Sequence, residues 1–261
     1  MRGKVDLNAD MGESFGASRV GSDEELVKVV SSASLACGFH GGDPFTIRRT
    51  VELCRANGVQ IGAHPSFPDR EGFGRNEMEM PVEELEAAVL YQVSALRGIS
   101  ESLGVKMQHV KPHGALYNMA WGREDYARAI VEAVSAISME LILIAPPNSV
   151  IERIARKAGL VVAREGFPER GYLDDGRLAP RGSPLALITD PRVAAEHASM
   201  MVKRGSVISV TGKPVSLDVD TLCIHGDTPG APAIAAEVRR RLKDEGVEVL
   251  PLSLLFGSRA P

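Results

Sequence analysis

The sequence predicts an α/β fold in which seven short strands alternate with helices, as in an incomplete or distorted, TIM-like (β/α) barrel. Two observations support this fold class. Short apolar and β-branched runs recur along the 261 residues, and each is followed by Gly, Pro, Asn or Asp. Helical patterns lie between these runs, and strict alternation implies parallel strands joined by right-handed crossovers. We predict a single domain over residues 1–261.

The predicted strands are short and apolar, which is typical of strands buried in a parallel sheet. In chain order they are Val5–Asn8, Ser34–Phe39, Gln60–His64, Gln108–Lys111, Leu141–Ala145, Leu160–Ala163 and Leu222–His225. Two segments interrupt the alternation: a Gly/Pro/Arg-rich insertion at about 165–190 and a hairpin at about 207–219. Long insertions on a compact fold are often lids or binding loops.

Signals for helix ends separate the strands. Asp43 and Asp190 each precede a proline, which predicts an N-cap acceptor followed by proline in the first helical turn. Ser22 with Glu25 three residues later predicts a capping box at the start of a helix that runs toward Ser32. Other helical patterns cover residues 81–104, 123–138, 149–157 and 231–244.

Composition narrows the function classes. The net charge is −4 and no basic stripe is present, which argues against nucleic acid or an anionic membrane as a partner. The three cysteines are widely spaced and odd in number, so we expect them to be reduced and the protein to be cytoplasmic. No apolar stretch approaches the ~20 residues that a membrane span requires.

Polar side chains concentrate at the predicted strand ends. The carboxyl ends of parallel strands meet on one face, which is where barrel enzymes place their active sites. Histidine titrates near neutral pH, and neighbouring carboxylates act as general bases or metal ligands. The candidates on this face are Asn8, Asp10, Glu13, His40, His64, Lys111, His113, Arg181, His225 and Asp227.

Each candidate also has a structural interpretation, such as a capped turn, a satisfied core histidine or a solvated arginine. We interpret Asp43 as an N-cap, and His109 and His197 as structural. A divalent metal is compatible with the sequence, and its ligands would then be Asp10, His64 and His113, although no local spacing supports this set. No Walker A or GxGxxG motif is present.

Several long strings at these positions resemble the LamB/YcsF family. They are VDLNADMGESFG (5–16), LACGFHGGDP (35–44), GAHPSFPDREGFGR (62–75), HVKPHGALYN (109–118), REGFPERGYLDDGRLAPR (164–181) and CIHGDTPGA (223–231). The resemblance implies a seven-stranded barrel of the glycoside hydrolase/deacetylase type. It also implies the ATP-dependent opening of 5-oxo-L-proline (pyroglutamate) to L-glutamate, together with 5-oxoprolinase subunits B and C, which handle the ATP-dependent part of the reaction.

An unstrained lactam is a poor electrophile, so this reaction needs a base for water, donors for developing negative charge and a cation for substrate anions. We assign Asp10 or Glu13 as the base and Lys111 as the group that neutralises oxyanion or phosphate charge. His64 and His113 would transfer protons or donate to the oxyanion. Substrate binding is assigned to Asn8, His40, Arg181, His225 and Asp227.

Two other functions fit the same residues. One is a metal-dependent amide or ester hydrolase of the deacetylase kind, and the other is a non-catalytic subunit that binds a lactam or organises its partners. Stoichiometric metal with activity lost to a chelator would favour the first. Tight binding without turnover would favour the second.

Overall fold

The computed structural model describes residues 3–257, and its central element is a closed barrel of parallel strands. Six strands pair in chain order from β1 to β6, and β9 closes the barrel by pairing with both β6 and β1. The seven-stranded (β/α) barrel predicted from the sequence is therefore confirmed. The strands are β1 (Lys4–Met11), β2 (Ser32–Ala36), β3 (Gln60–His64), β4 (Met107–Val110), β5 (Ile142–Ala145), β6 (Val161–Gly166), β7 (Ser206–Ile208), β8 (Pro214–Ser216), β9 (Thr221–Ile224) and β10 (Glu248–Val249).

Helices surround the barrel and cover its apolar outer face. The helices are α1 (Asp23–Leu26), α2 (Pro44–Ala56), α3 (Val82–Ser102), α4 (Gly114–Ala120), α5 (Glu124–Ile137), α6 (Val150–Lys157), α7 (Pro191–Arg204), α8 (Ala231–Asp244) and α9 (Leu252–Phe256). None of these helices has both the length and the apolar character that crossing a bilayer requires. The short helices α4 and α9 are not predicted from the sequence, because five to seven residues are too few to show helical periodicity.

Strand β1 shows why the barrel interior is polar. Its side chains alternate, so that Leu7 and Ala9 join the apolar core while Asp6, Asn8 and Asp10 point inward. Asp6 accepts hydrogen bonds from the hydroxyls of Ser31, Ser32 and Thr221. These bonds satisfy a buried carboxyl group and tie β1 to both of its neighbouring strands.

The interior is also narrow. A Cβ atom at Gly62 on β3 would lie 2.1 Å from the ring of His109 on β4, so glycine is needed at this position. The His109 ring is fully buried beside the Ser34 hydroxyl, at 3.1 Å from its Oγ. His109 therefore fills the barrel interior, in agreement with its structural interpretation.

The capping signals have mixed outcomes. Asp43 accepts from two backbone N–H groups at the start of α2, and Asp190 does the same at α7, as predicted. The capping box at Ser22 is wrong: its side chain makes no cap hydrogen bond and α1 has only four residues. The neighbouring Asp23 carboxylate instead accepts from the backbone N–H of Gly12, which anchors this turn to the end of β1.

Two additions stand apart from the regular alternation. Strands β7 and β8 form an antiparallel hairpin beside the barrel. The segment of residues 167–190 has no helix or long strand, and isolated bridges join Arg170 to Leu187 and Tyr172 to Leu178. This segment folds over the carboxyl end of the barrel and forms one wall of the cavity described below.

Candidate active site

A buried lysine occupies the carboxyl end of the barrel. Lys111 follows β4, and its Nζ lies 2.7 Å from Asp10 Oδ1 on β1 and 3.1 Å from Glu165 Oε1 on β6. It also donates to Cys223 Sγ at 3.0 Å. All four side chains are almost completely buried. One ammonium group thus faces two carboxylates from different strands, and barrel closure alone brings them together.

Asn8 supports this charge cluster from inside the barrel. Its Nδ2 donates to Glu165 Oε1 at 3.1 Å and to Thr221 Oγ1 at 2.7 Å. The second carboxylate oxygen, Glu165 Oε2, makes no hydrogen bond with any described residue, and neither does the buried Tyr117 hydroxyl. Both residues line the cavity, where burial and the Glu165 carboxylate raise the pKa of the Tyr117 hydroxyl.

Three histidines and one glutamate lie next to the lysine, and we call this group the Glu/His cluster (Glu13, His40, His64 and His113). His64 Nε2 is 2.9 Å from His113 Nδ1 and 3.4 Å from Asp10 Oδ1. The ring of His40 stacks on that of His113 with centroids 3.8 Å apart, and its Nε2 lies 3.2 Å from Glu13 Oε1. One ligand atom from each of the four residues lies within 4.8 Å of the others.

Burial and mutual charge set the ionisation of these groups. Burial alone would lower the pKa of Lys111, but Asp10, Cys223 and Glu165 hold it well above its ordinary value. Burial opposes ionisation of Asp10 as well, yet His64 and Lys111 hold its pKa well below the usual range. The lysine and Asp10 therefore form a buried ion pair at neutral pH.

In the Glu/His cluster the pKa values shift the other way: that of the carboxyl group is raised, and those of two histidines are lowered. Burial and the negative charge of Asp10 raise the pKa of Glu13 well above its ordinary value. Burial and the neighbouring histidines lower the pKa values of His40 and His113. Adjacent carboxyl groups thus have pKa values displaced in opposite directions, which is common where residues handle protons.

A cavity of about 580 Å³ opens onto this cluster. Its floor includes Asp10, His64, Lys111 and Glu165, and the insertion at 167–190 supplies the opposite wall. The rim carries arginines: Arg75 Nη2 lies 2.8 Å from Asp227 Oδ2, and Arg181 Nη2 lies 3.9 Å from Asp227 Oδ1. A single carboxylate is thus shared by two guanidinium groups, which leaves cationic capacity for an anionic ligand.

The candidate residues predicted from the sequence divide into those on the cavity wall and those behind it. Asp10, His64, Lys111, His113, Arg181 and His225 line the cavity. Four further candidates are not among the lining residues of the described chain but contact residues that are: Asn8, Glu13, His40 and Asp227. Of the predicted metal ligands, His64 and His113 belong to the Glu/His cluster with Glu13 and His40. Asp10 pairs with Lys111 and lies 3.4 Å from His64 Nε2.

Other polar residues here are missing from the sequence-based candidate set. Glu165 contacts Lys111, and Glu169 accepts from the backbone N–H of His225 at 2.9 Å and contacts its Nδ1. Arg75 pairs with Asp227 on the rim. Glu165 follows the predicted sixth strand, so the strand-end pattern does place it on this face, although it is not assigned a role there. Glu169 and Arg75 lie within the strings 164–181 and 62–75 that resemble the family, but each is on a loop, so tertiary packing decides what it contacts.

The fold and the site define a class: a parallel (β/α) barrel with a charged pocket at the carboxyl ends of its strands, the location of catalytic sites in barrel enzymes. A deacetylase solved with its substrate shares this fold, with a TM-score of 0.52, 14% identity and coverage of 98% of this chain and 91% of that one. The chain belongs to the LamB/YcsF family, whose model matches residues 5–256.

Close relatives within the family are similar over nearly their whole length. The chain is 53% identical over 246 residues to a Thermus thermophilus protein that is named as the A subunit of 5-oxoprolinase, covering 94% of this chain and 98% of the relative. The crystal structure of a lactam utilization protein from the same species superposes with a TM-score of 0.90 at 52% identity, covering 95% and 99% of the two chains.

Proposed function

We propose that this chain is the A subunit of a 5-oxoprolinase and that it opens the lactam ring of 5-oxo-L-proline to give L-glutamate. The names of its close relatives support this assignment. The observation that carries it is the Lys111–Asp10–Glu165 charge cluster at the floor of the cavity. A buried ammonium group at the floor of a cavity is suited to stabilise negative charge that develops on a carbonyl oxygen.

The other cavity residues have complementary roles in the proposed reaction. Arg181 on the rim would bind the carboxylate of the substrate, because a guanidinium group pairs with a carboxylate through two parallel hydrogen bonds. Asp10 would accept the proton of attacking water, since it lines the cavity, whereas Glu13 lies behind the wall. His64 and His113 would move protons or donate to the oxyanion.

We propose that ATP enters through partner subunits, which we take to be subunits B and C. Phosphorylation of the lactam oxygen by ATP would release ADP and make the ring carbon electrophilic. Water could then add to this carbon, the C–N bond would break, and a second water would release phosphate from the resulting acyl phosphate. The three cysteines are free and buried, which suits a reducing compartment, and we propose a cytoplasmic location.

The test is glutamate release from 5-oxoproline and ATP by the B and C subunits with and without this chain. We expect release only when the chain is present. Asp10→Asn should reduce release at least ~100-fold, the usual lower bound for a general base, while its circular dichroism stays native. Asp244→Asn, which removes an exposed carboxylate on α8, is the matched control and should retain wild-type release. Wild-type release by Asp10→Asn would remove Asp10 from the mechanism.

A further inference from the structure

Contacts with backbone carbonyl groups determine which ring nitrogen of His64 and of His113 carries a proton. His64 Nδ1 lies 2.7 Å from the carbonyl oxygen of Lys111, and His113 Nε2 lies 2.8 Å from the carbonyl oxygen of Phe73. A carbonyl oxygen only accepts hydrogen bonds, so each of these ring nitrogens carries a proton. In a neutral imidazole the other nitrogen then carries a lone pair. The lone-pair atoms are His64 Nε2 and His113 Nδ1.

These two lone-pair atoms face each other at 2.9 Å. Two acceptors at this distance repel unless a cation lies between or beside them. Either a shared proton or one metal ion bound to both nitrogens removes this repulsion. Two nitrogens bound at about 2.0–2.1 Å to one ion are about 2.9 Å apart at a right angle and about 3.3 Å apart at the tetrahedral angle. The observed separation equals the right-angle value and is also that of an N–H···N hydrogen bond, so a bound ion and a shared proton are the two ways to join these nitrogens.

Glu13 supplies the carboxylate of the cluster, and its buried position beside the histidines is that of an oxygen ligand of the same ion. Glu13 Oε1 is within reach of the same position, at 3.8 Å from His113 Nδ1 and 3.2 Å from His40 Nε2.

We infer that the Glu/His cluster binds one divalent transition-metal ion, for which Zn²⁺ is the representative probe. Imidazole nitrogens with one carboxylate oxygen are donors typical of borderline ions such as Zn²⁺, and are less suited to Mg²⁺ or Ca²⁺. The backbone carbonyl contacts of His64 and His113 are the outer contacts that orient histidine ligands in metal sites. Since both histidines line the cavity, the bound ion would act as a Lewis acid beside the ligand.

The experiment measures metal directly and needs neither substrate nor partner subunits. The full chain, stripped with a chelator and dialysed, is titrated with Zn²⁺ by calorimetry, and its thermal unfolding is followed with and without the ion. We expect one equivalent to bind. We expect the melting temperature to rise by about 5–10 °C at a Zn²⁺ concentration of about one hundred times Kd. X-ray absorption should show imidazole ligands around the ion.

Variants locate the site. His113→Gln and Glu13→Gln should each weaken Zn²⁺ binding at least ~10-fold, the lower end of the effect expected on metal affinity, while His197→Gln should bind like the wild type. His197 is a matched control, because it is a mostly buried histidine outside the Glu/His cluster, and its Nδ1 contacts the backbone carbonyl of Pro168. Circular dichroism before titration identifies any variant that fails to fold, and the wild-type measurements do not depend on the variants.

Two outcomes would overturn the inference. One is the absence of saturable Zn²⁺ binding by the wild type together with NMR evidence of an imidazolium proton between His64 and His113. The other is stoichiometric binding that His113→Gln and Glu13→Gln leave unchanged, since the ion would then lie elsewhere. Activity of the assembled enzyme enters neither outcome, so failure of the proposed function and failure of the metal site remain distinguishable.

Discussion

Asp6→Asn isolates the contribution of one buried carboxyl group to the pH dependence of stability. Asp6 is completely buried in the barrel interior, where it accepts from three hydroxyls. Burial outweighs these hydrogen bonds and raises its pKa from 3.8 to about 6. Asparagine has nearly the same shape but carries no charge at any pH, so the comparison of the two proteins reports on this ionisation.

The sign follows from the direction of the shift. A carboxyl group with a higher pKa in the folded state binds its proton more tightly there, so its stabilising contribution is complete below pH 3.8 and declines as pH rises through 6. A shift of about 2.2 units corresponds to about 3 kcal/mol in the limit. About 1.4 kcal/mol of this change falls between pH 5 and pH 7.5.

The variant also disturbs hydrogen bonds. Thr221 Oγ1 accepts from Asn8 and donates to Asp6, so an amide NH₂ at this position forces the hydroxyl to find another acceptor. This cost of about 1 kcal/mol per lost hydrogen bond does not vary with pH. We therefore expect the stability of Asp6→Asn, relative to the wild type, to improve by about 1.4 kcal/mol from pH 5 to pH 7.5.

The assay is urea unfolding followed by circular dichroism at pH 5.0, 6.0, 7.0 and 7.5 for both proteins at one ionic strength. Other titrating groups are common to the two proteins and cancel in the difference. A free-energy difference that stays constant over this range, or that favours the wild type more as pH rises, would refute the assigned raised pKa and the argument from burial.

Two further predictions concern the charge cluster and the narrow interior. Lys111→Met should lower the free energy of unfolding by about 3–5 kcal/mol and abolish glutamate release, because it leaves two buried carboxylates without their cation. The control is Lys106→Met, at an exposed lysine, which should change the free energy of unfolding by less than about 0.5 kcal/mol. Equal effects of these two variants in urea unfolding would contradict the assigned pairing. Gly62→Ala should cost about 1–3 kcal/mol, since its Cβ would meet the His109 ring at 2.1 Å; a thermal melt identical to the wild type would show that the ring can move aside at no cost.

Sequence patterns locate all seven barrel strands and the face that carries the site. The strand of residues 60–64 is correct at both ends, and the other six overlap the observed strands. Asp43 and Asp190 cap their helices as predicted. These features depend on the period of apolar residues and on contacts between residues no more than four positions apart. Both are local properties that the sequence shows directly.

Contacts across the barrel depend on its closure. Asp10, Lys111 and Glu165 come from three strands, and only the register of those strands sets their separations at 2.7 and 3.1 Å. The Glu/His cluster also depends on barrel closure. Glu13 and His40 approach His113 there, whereas the sequence predicts Asp10 as the ligand that accompanies His64 and His113. At Ser22 the predicted capping hydrogen bond does not form. The neighbouring Asp23 carboxylate instead accepts a tertiary hydrogen bond from the backbone N–H of Gly12.

The amino-acid sequence by itself determined the barrel, the order of its elements and the polar residues at one end, since periodicity and strand-end chemistry are local properties. Tertiary structure alone decided which of those residues are ion-paired, which line the cavity and which share a potential metal ion. The physical reason is that charge and ligand interactions change over a few tenths of an ångström, and such distances arise only when strands far apart in sequence pair in register.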